Sequence, residues 1–244
     1  MNLKSILLCL IIVCIAMATG CTTSKTENGQ TPDESLYWVK EKMITCVSDG
    51  VPVYRKPDPI QQGNWLTSVK LGEVLTYLGE TVTDTTKKAR EYFHVQLSDG
   101  TEGWALSYGL MLYSKPAVIT IPSVIYDRPD QLAVTAKKLE PMEIVAITNV
   151  KEGWAEFTSE QKKYKGWIPA GNFTEIENDI LVAVLFRKEM KKQDQRSEKQ
   201  KIADFLQNLP TDNSVFIPDL EKRLEALQGN TADSSLVVDE GYGE

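Results

Sequence analysis

Residues 92–106 read YFHVQLSDGTEGWAL, and this stretch decides the fold. Phe93, Val95 and Leu97 recur every second residue, which places them on one face of a strand and His94 on the other. Asp99-Gly100 interrupts the alternation with turn chemistry, and Gly103-Trp104-Ala105-Leu106 returns. The pattern predicts a β-hairpin. Upstream, Val74, Leu75, Tyr77 and Leu78 predict a further strand.

Outward from the hairpin, the chain repeats itself. Val53-Tyr54-Arg55-Lys56-Pro57-Asp58 matches Ile125-Tyr126-Asp127-Arg128-Pro129-Asp130 at an offset of 72. Gly72-Glu73-Val74-Leu75 matches Met142-Glu143-Ile144-Val145 at 70, and Gly103-Trp104-Ala105-Leu106 matches Gly166-Trp167-Ile168-Pro169 at 63. The order is kept while the offset falls, so the second copy is shorter, chiefly around Thr81 to Glu91. Glu143 to Thr148 and Trp154 to Thr158 are the second copy's strands. Short strands punctuated by Gly, Pro and Asp argue for one small all-β barrel per copy. About 60 residues make a marginal core, so packing between copies is expected to help.

The ordered set resembles the bacterial Src-homology-3 (SH3b) domain. Val53-Tyr54-Arg55-Lys56-Pro57 stands for its first segment, Lys70-Leu71-Gly72-Glu73-Val74 for its Lys-Gly-Glu turn, and Asp99-Gly100-Thr101-Glu102-Gly103-Trp104 for its closing motif. The second copy departs from the pattern: Asp127 replaces Arg55, Pro141-Met142 replaces Leu71-Gly72, and Asp-Gly is missing before Gly166-Trp167. The resemblance implies two small SH3-like β-barrels in tandem, residues 35–114 and 115–175; with the helical region read below, the expected chain is α+β and mainly β. The resemblance also implies non-catalytic binding of cell-wall peptides or partner proteins.

Residues 176–229 read as helix. Ile180 to Phe186 is an apolar run, and no Gly or Pro falls between Glu175 and Leu209, which predicts one long helix. Its stretch Arg187 to Lys201, with seven basic and three acidic residues, reads as a solvated face, with anionic lipid or polymer as the other reading. A second helix is predicted from Pro218, with Leu220, Leu224 and Leu227 on one face and an end at Gly229. Residues 230–244 read as an acidic disordered tail.

At the other end, Lys4, the apolar run Ile6 to Ala18 and the small residues Ala18-Thr19-Gly20 describe a secretory signal over residues 1–20. Ala18-Thr19-Gly20-Cys21 resembles the lipobox of bacterial lipoproteins, although Ala18 stands where Leu is usual. The resemblance implies acylation of Cys21 and a membrane-anchored protein of the cell envelope. Residues 21–34 are a polar tether. Thr31-Pro32-Asp33-Glu34 reads as a capping box that opens a short leading helix to about Lys42, with Leu36, Val39 and Met43 inward.

A net charge of −7 argues against a nucleic-acid partner. A single histidine, His94, argues against a His-built metal site or catalytic relay. The helical region contains neither Cys nor His, so no enzyme, metal or cofactor is expected. Cys46, in the apolar MITCV, reads as a buried small hydrophobe. His94 should face solvent or a loop. Trp104 and Trp167 read as core or rim packing. Peptides and sugars bind exposed aromatic faces, so Trp65, Tyr92, Tyr108 and Trp154 are the candidate ligand-binding residues. The expected partners are the membrane, through the lipid, and peptidoglycan peptide or an envelope protein. The alternative is an adaptor or assembly scaffold acting through the C-terminal helices.

Overall fold

The computed structural model describes residues 42–58, 62–85 and 89–232. The expected signal segment, Cys21, the tether, the leading helix with Leu36 and Val39, and the tail beyond residue 232 lie outside the described residues. Met43, expected on that helix, opens a strand instead.

Fourteen strands are described, in two sets of seven. The first set is β1 (Met43–Cys46), β2 (Val51–Tyr54), β3 (Trp65–Val69), β4 (Val74–Asp84), β5 (Arg90–Gln96), β6 (Glu102–Leu106) and β7 (Leu110–Leu112). The second is β8 (Lys115–Ile119), β9 (Ser123–Tyr126), β10 (Val134–Leu139), β11 (Ile144–Lys151), β12 (Trp154–Ser159), β13 (Lys165–Pro169) and β14 (Phe173–Thr174). Three helices follow: α1 (Glu177–Met190), α2 (Glu198–Gln207) and α3 (Ile217–Ala232). The chain is thus α+β and mainly β.

The strand order is β3-β2-β6-β5-β4-β1-β7 in one sheet and β10-β9-β13-β12-β11-β8-β14 in the other. Each strand of the second sheet stands seven places after its counterpart in the first. Every pairing is antiparallel. No pairing joins β3 to β7 or β10 to β14, so no closed barrel is seen among the described residues. The predicted hairpin is β5–β6, with Phe93 opposite Ala105 and His94 opposite Trp104. In its turn Gly100 takes φ +84° and the Asp99 carboxylate accepts from the Thr101 N–H at 2.9 Å.

The repeated Gly-Trp step has a steric cause. A Cβ on Gly103 would stand 2.7 Å from Val53 Cγ1 and 2.9 Å from the Tyr54 carbonyl oxygen. On Gly166, at φ +154°, it would stand 2.6 Å from the Tyr126 carbonyl oxygen. In each copy the strand bearing the tyrosine crosses so closely that only glycine fits.

Each sheet encloses its own core. Ile44, Val53, Leu75, Phe93, Val95 and Leu110 fill the first; Ile119, Ile125, Leu139, Ile147, Phe157 and Ile168 fill the second. A third core joins the helices to the sheets. Ile180, Phe186, Ile202, Phe205, Phe216 and Leu220 pack with Val118 and Ile144 of the second sheet and with Leu71 of the turn between β3 and β4. Burying each such side chain stabilises the fold by about 1.5–3 kcal/mol. Gly72 lets this junction close, because a Cβ there would lie 3.3 Å from Ile180 Cγ2.

The single long helix is corrected to two. Between α1 and α2 the chain turns at Ser197, whose side chain accepts from the Gln200 N–H while the Gln200 side chain accepts from the Ser197 N–H. Ser197-Glu198-Lys199-Gln200 is a capping box, and it starts a new helix without Gly or Pro. The last helix runs past Gly229 to Ala232, because one glycine costs a helix only about 1 kcal/mol.

Part of the basic stretch is paired within the protein, while Lys188, Lys191 and Lys192 stay exposed. Arg187 pairs with Glu160 of the 3-10 turn that follows β12 and donates to the Met142 carbonyl at 3.3 Å. Arg196 reaches Glu189 and Asp194 at 2.6 Å and Asp204 at 2.8 Å. The Arg196 guanidinium holds the Asp194 carboxyl down at about 2. Lys201 donates to the Lys192 carbonyl at the end of α1.

Candidate functional site

The outer face of the first sheet carries a row of rings. Residues opposite one another in antiparallel strands lie side by side on one face. Trp65 pairs with Tyr54, Tyr54 with Trp104, and Trp104 with His94. The row therefore crosses β3, β2, β6 and β5 in spatial order. The His94 imidazole stacks on the Trp104 indole at 4.6 Å between centroids and 8° between planes. At its far side, on β4, the Glu80 carboxylate lies 3.7 Å from His94 Nδ1. The Nδ1 atom is enclosed and makes no hydrogen bond. Trp65, at the other end, is 60% exposed.

The second sheet repeats the middle of this row and not its ends. Tyr126 pairs with Trp167 as Tyr54 does with Trp104. Val134 takes the place of Trp65, and Glu156 that of His94. The Thr148 hydroxyl donates to the Glu156 carboxylate at 3.3 Å.

The four candidate residues separate. Trp65 is in the row and open to solvent. Tyr92 is fully buried, which corrects its expected role as a contact residue. It meets the Tyr54 ring edge to face at 6.2 Å and 75°. Burial pushes its phenol up from the usual range, against the Arg90 guanidinium. Trp154 is its counterpart in the second copy and meets Tyr126 edge to face at 4.7 Å and 75°, but it is only half-buried. These two pairs orient the tyrosines of the rows. Tyr108 is 57% exposed and sits on the 3-10 turn between β6 and β7, outside the row.

Tyr54, Trp104 and His94 were not among the candidates. The signal that finds them is the alternation itself: Tyr54 follows buried Val53, Trp104 lies between buried Gly103 and Ala105, and His94 lies between buried Phe93 and Val95. Three rings out of phase with the core must share the outer face. His94 does lie on that face as expected, but the Trp104 ring half-covers it.

Cys46 is fully buried and its thiol donates to the Ser48 carbonyl at 2.9 Å. Burial pushes that thiol up to about 12, so it stays protonated at neutral pH. Among the described residues no group of three or more His, Cys, Asp or Glu side chains is placed to hold a metal ion. No described helix is long and apolar enough to cross a membrane. Cavities of about 500 Å³ lie along the helices, one beside Leu209, Pro210 and Ile217 and another beside Leu185, Lys188 and Phe205, away from the row.

No protein-family profile and no curated protein matches the chain. Among solved structures it is similar to NlpC2 and NlpC1 from Trichomonas vaginalis, each at 14% identity and a TM-score of 0.25. The similarity covers 68% of this chain and 55% and 52% of theirs, so the chain spans about half the length of these proteins.

Proposed function

We propose that the protein is a lipid-anchored envelope protein in which two SH3-like modules serve non-catalytic binding of cell-wall peptide or of a protein partner. The observation that carries the binding part is the ring row of the first sheet. Aromatic faces set side by side, with one indole mostly in water, offer stacking area at little cost in side-chain entropy. A shallow face of this kind favours modest affinity. The anchoring part rests on the signal-like segment, Cys21 and the polar tether behind it.

An adaptor acting through the helices is the weaker reading. The apolar faces of α1, α2 and α3 are already turned toward one another and toward Leu71, Val118 and Ile144. Their removal would uncover both sheets, not release a free docking face.

Cosedimentation of the protein with purified cell wall, against a charge-matched polymer, tests the binding part. Enrichment on the wall is expected, and its absence refutes cell-wall binding. For the anchor, Cys21→Ala should move the protein out of the membrane fraction and abolish labelling by a fatty-acid probe. Unchanged partition and labelling would refute lipidation.

A further inference from the structure

The ends of the ring row carry opposite charges, and this holds in the first copy only. At the Trp65 end stand Arg55 and Lys56, both exposed. Their loop is built in place: buried Asn64, next to Trp65, accepts from the Lys56 N–H and donates to the Lys56 carbonyl, each at 2.9 Å, while its own carbonyl accepts from the Arg55 N–H at 2.8 Å. At the other end Glu80 is 66% exposed and has His94 beside it. In the second copy Asp127 replaces Arg55, and Arg128, in place of Lys56, is paired with Asp130 at 3.0 Å. The opposite end has Asn149, the register partner of Glu156. The second row therefore has an acid where the first has a base, and an amide where the first has its terminal acid.

We propose that the first copy alone reads the ligand, and that the strip from Arg55 and Trp65 to His94 and Glu80 takes a short dipolar peptide of the cell wall. The peptide lays its carboxylate toward Arg55 and Lys56 and its ammonium toward Glu80. This rests on the binding function proposed above and names the part of the ligand that is recognised. Charge complementarity sets the direction in which the peptide lies. Length follows from the sheet. Four inter-strand steps separate β3 from β4, about 19 Å at the usual spacing, which an extended segment of about six residues covers. The second copy positions the first and adds no second site, so its presence brings no avidity.

The test uses the full chain and purified peptidoglycan in two forms, native and with its amines acetylated. Glu80→Gln, Arg55→Gln and Trp65→Ala are compared with Val134→Ala, at the second-copy counterpart of Trp65, and Arg128→Gln. The first three should each weaken cosedimentation with native wall about fivefold or more, the scale of one or two exposed contacts. The two second-copy variants should leave it unchanged. Acetylated wall should bind the unaltered protein about as weakly as native wall binds Glu80→Gln, and Glu80→Gln should lose nothing further on it. If the protein binds the wall but second-copy substitutions weaken it equally, or acetylation has no effect, this inference falls and the binding function stands. If the unaltered protein shows no enrichment on either form, this inference and cell-wall binding both fall.

Discussion

The two sheets share a strand order and a Tyr–Trp pair at the centre of the outer face, and they differ at both ends of that row. Trp65 becomes Val134, His94 becomes Glu156, and Tyr108 on the turn before β7 becomes Gly171 before β14. The parts in common have mechanical work: each tyrosine is held edge to face by Tyr92 or Trp154, and each tryptophan follows the glycine that admits the crossing strand. The parts that differ are exposed or half-exposed and hold little in place. A repeated aromatic residue is therefore framework here, and the residues that the copies do not share are the ones that set binding.

The copies also differ in how the helices use them. The second sheet gives Val118 and Ile144 to the buried helical core, whereas the first copy gives Leu71, from the turn between β3 and β4. Phe186→Ala should therefore have the largest effect, a loss of about 3–5 kcal/mol for a buried phenylalanine. Hydrogen exchange should show β8 and β11 opening before β5 and β6. Equal loosening of both sheets would break the comparison.

Next in size are the crossing glycines. Gly103→Ala and Gly166→Ala should each cost about 1–3 kcal/mol from overpacking, read as a drop in melting temperature. Gly166→Ala should be the worse, because its φ of +154° adds backbone strain and the carbonyl it meets is closer, 2.6 Å against 2.9 Å at Gly103.

Framework and binding separate at the tryptophans. Trp104→Ala should lower both stability and wall binding, because its indole carries the His94 ring. Trp65→Ala should change stability by no more than about 0.5 kcal/mol, as exposed substitutions do, while weakening wall binding. Equal destabilisation by the two would make Trp65 framework as well.

The smallest effect is electrostatic and lies outside both copies. Asp194 is held at about 2 in the fold against an ordinary 3.8. Its folded value is the lower one, so its contribution is fully present above about pH 4 and is lost as pH falls through about 2. Arg196→Gln should flatten the acid limb of a stability–pH profile over that window and leave the neutral-pH profile of the sheets unchanged.

The repeat, the β5–β6 hairpin and the glycine before each tryptophan were determined by the sequence alone. A period of two and a Gly-Trp step are local signals, and they survive loop loss between the copies. The same period places Tyr54, Trp104 and His94 on the face opposite the core. What covers that face is not local. Tyr92 and His94 share the outward phase, yet Tyr92 is fully buried and His94 is half-covered, because the rings opposite them come from β2 and β6. The break between α1 and α2 is carried by Ser197-Glu198-Lys199-Gln200, a capping box that can start a helix inside a run without Gly or Pro. Only the tertiary structure decided that Arg187 pairs with Glu160 and that the helices close over Leu71 and Ile144. Charge pairs and apolar faces are completed by residues far away in sequence, and periodicity reports only the half of each contact that its own segment supplies.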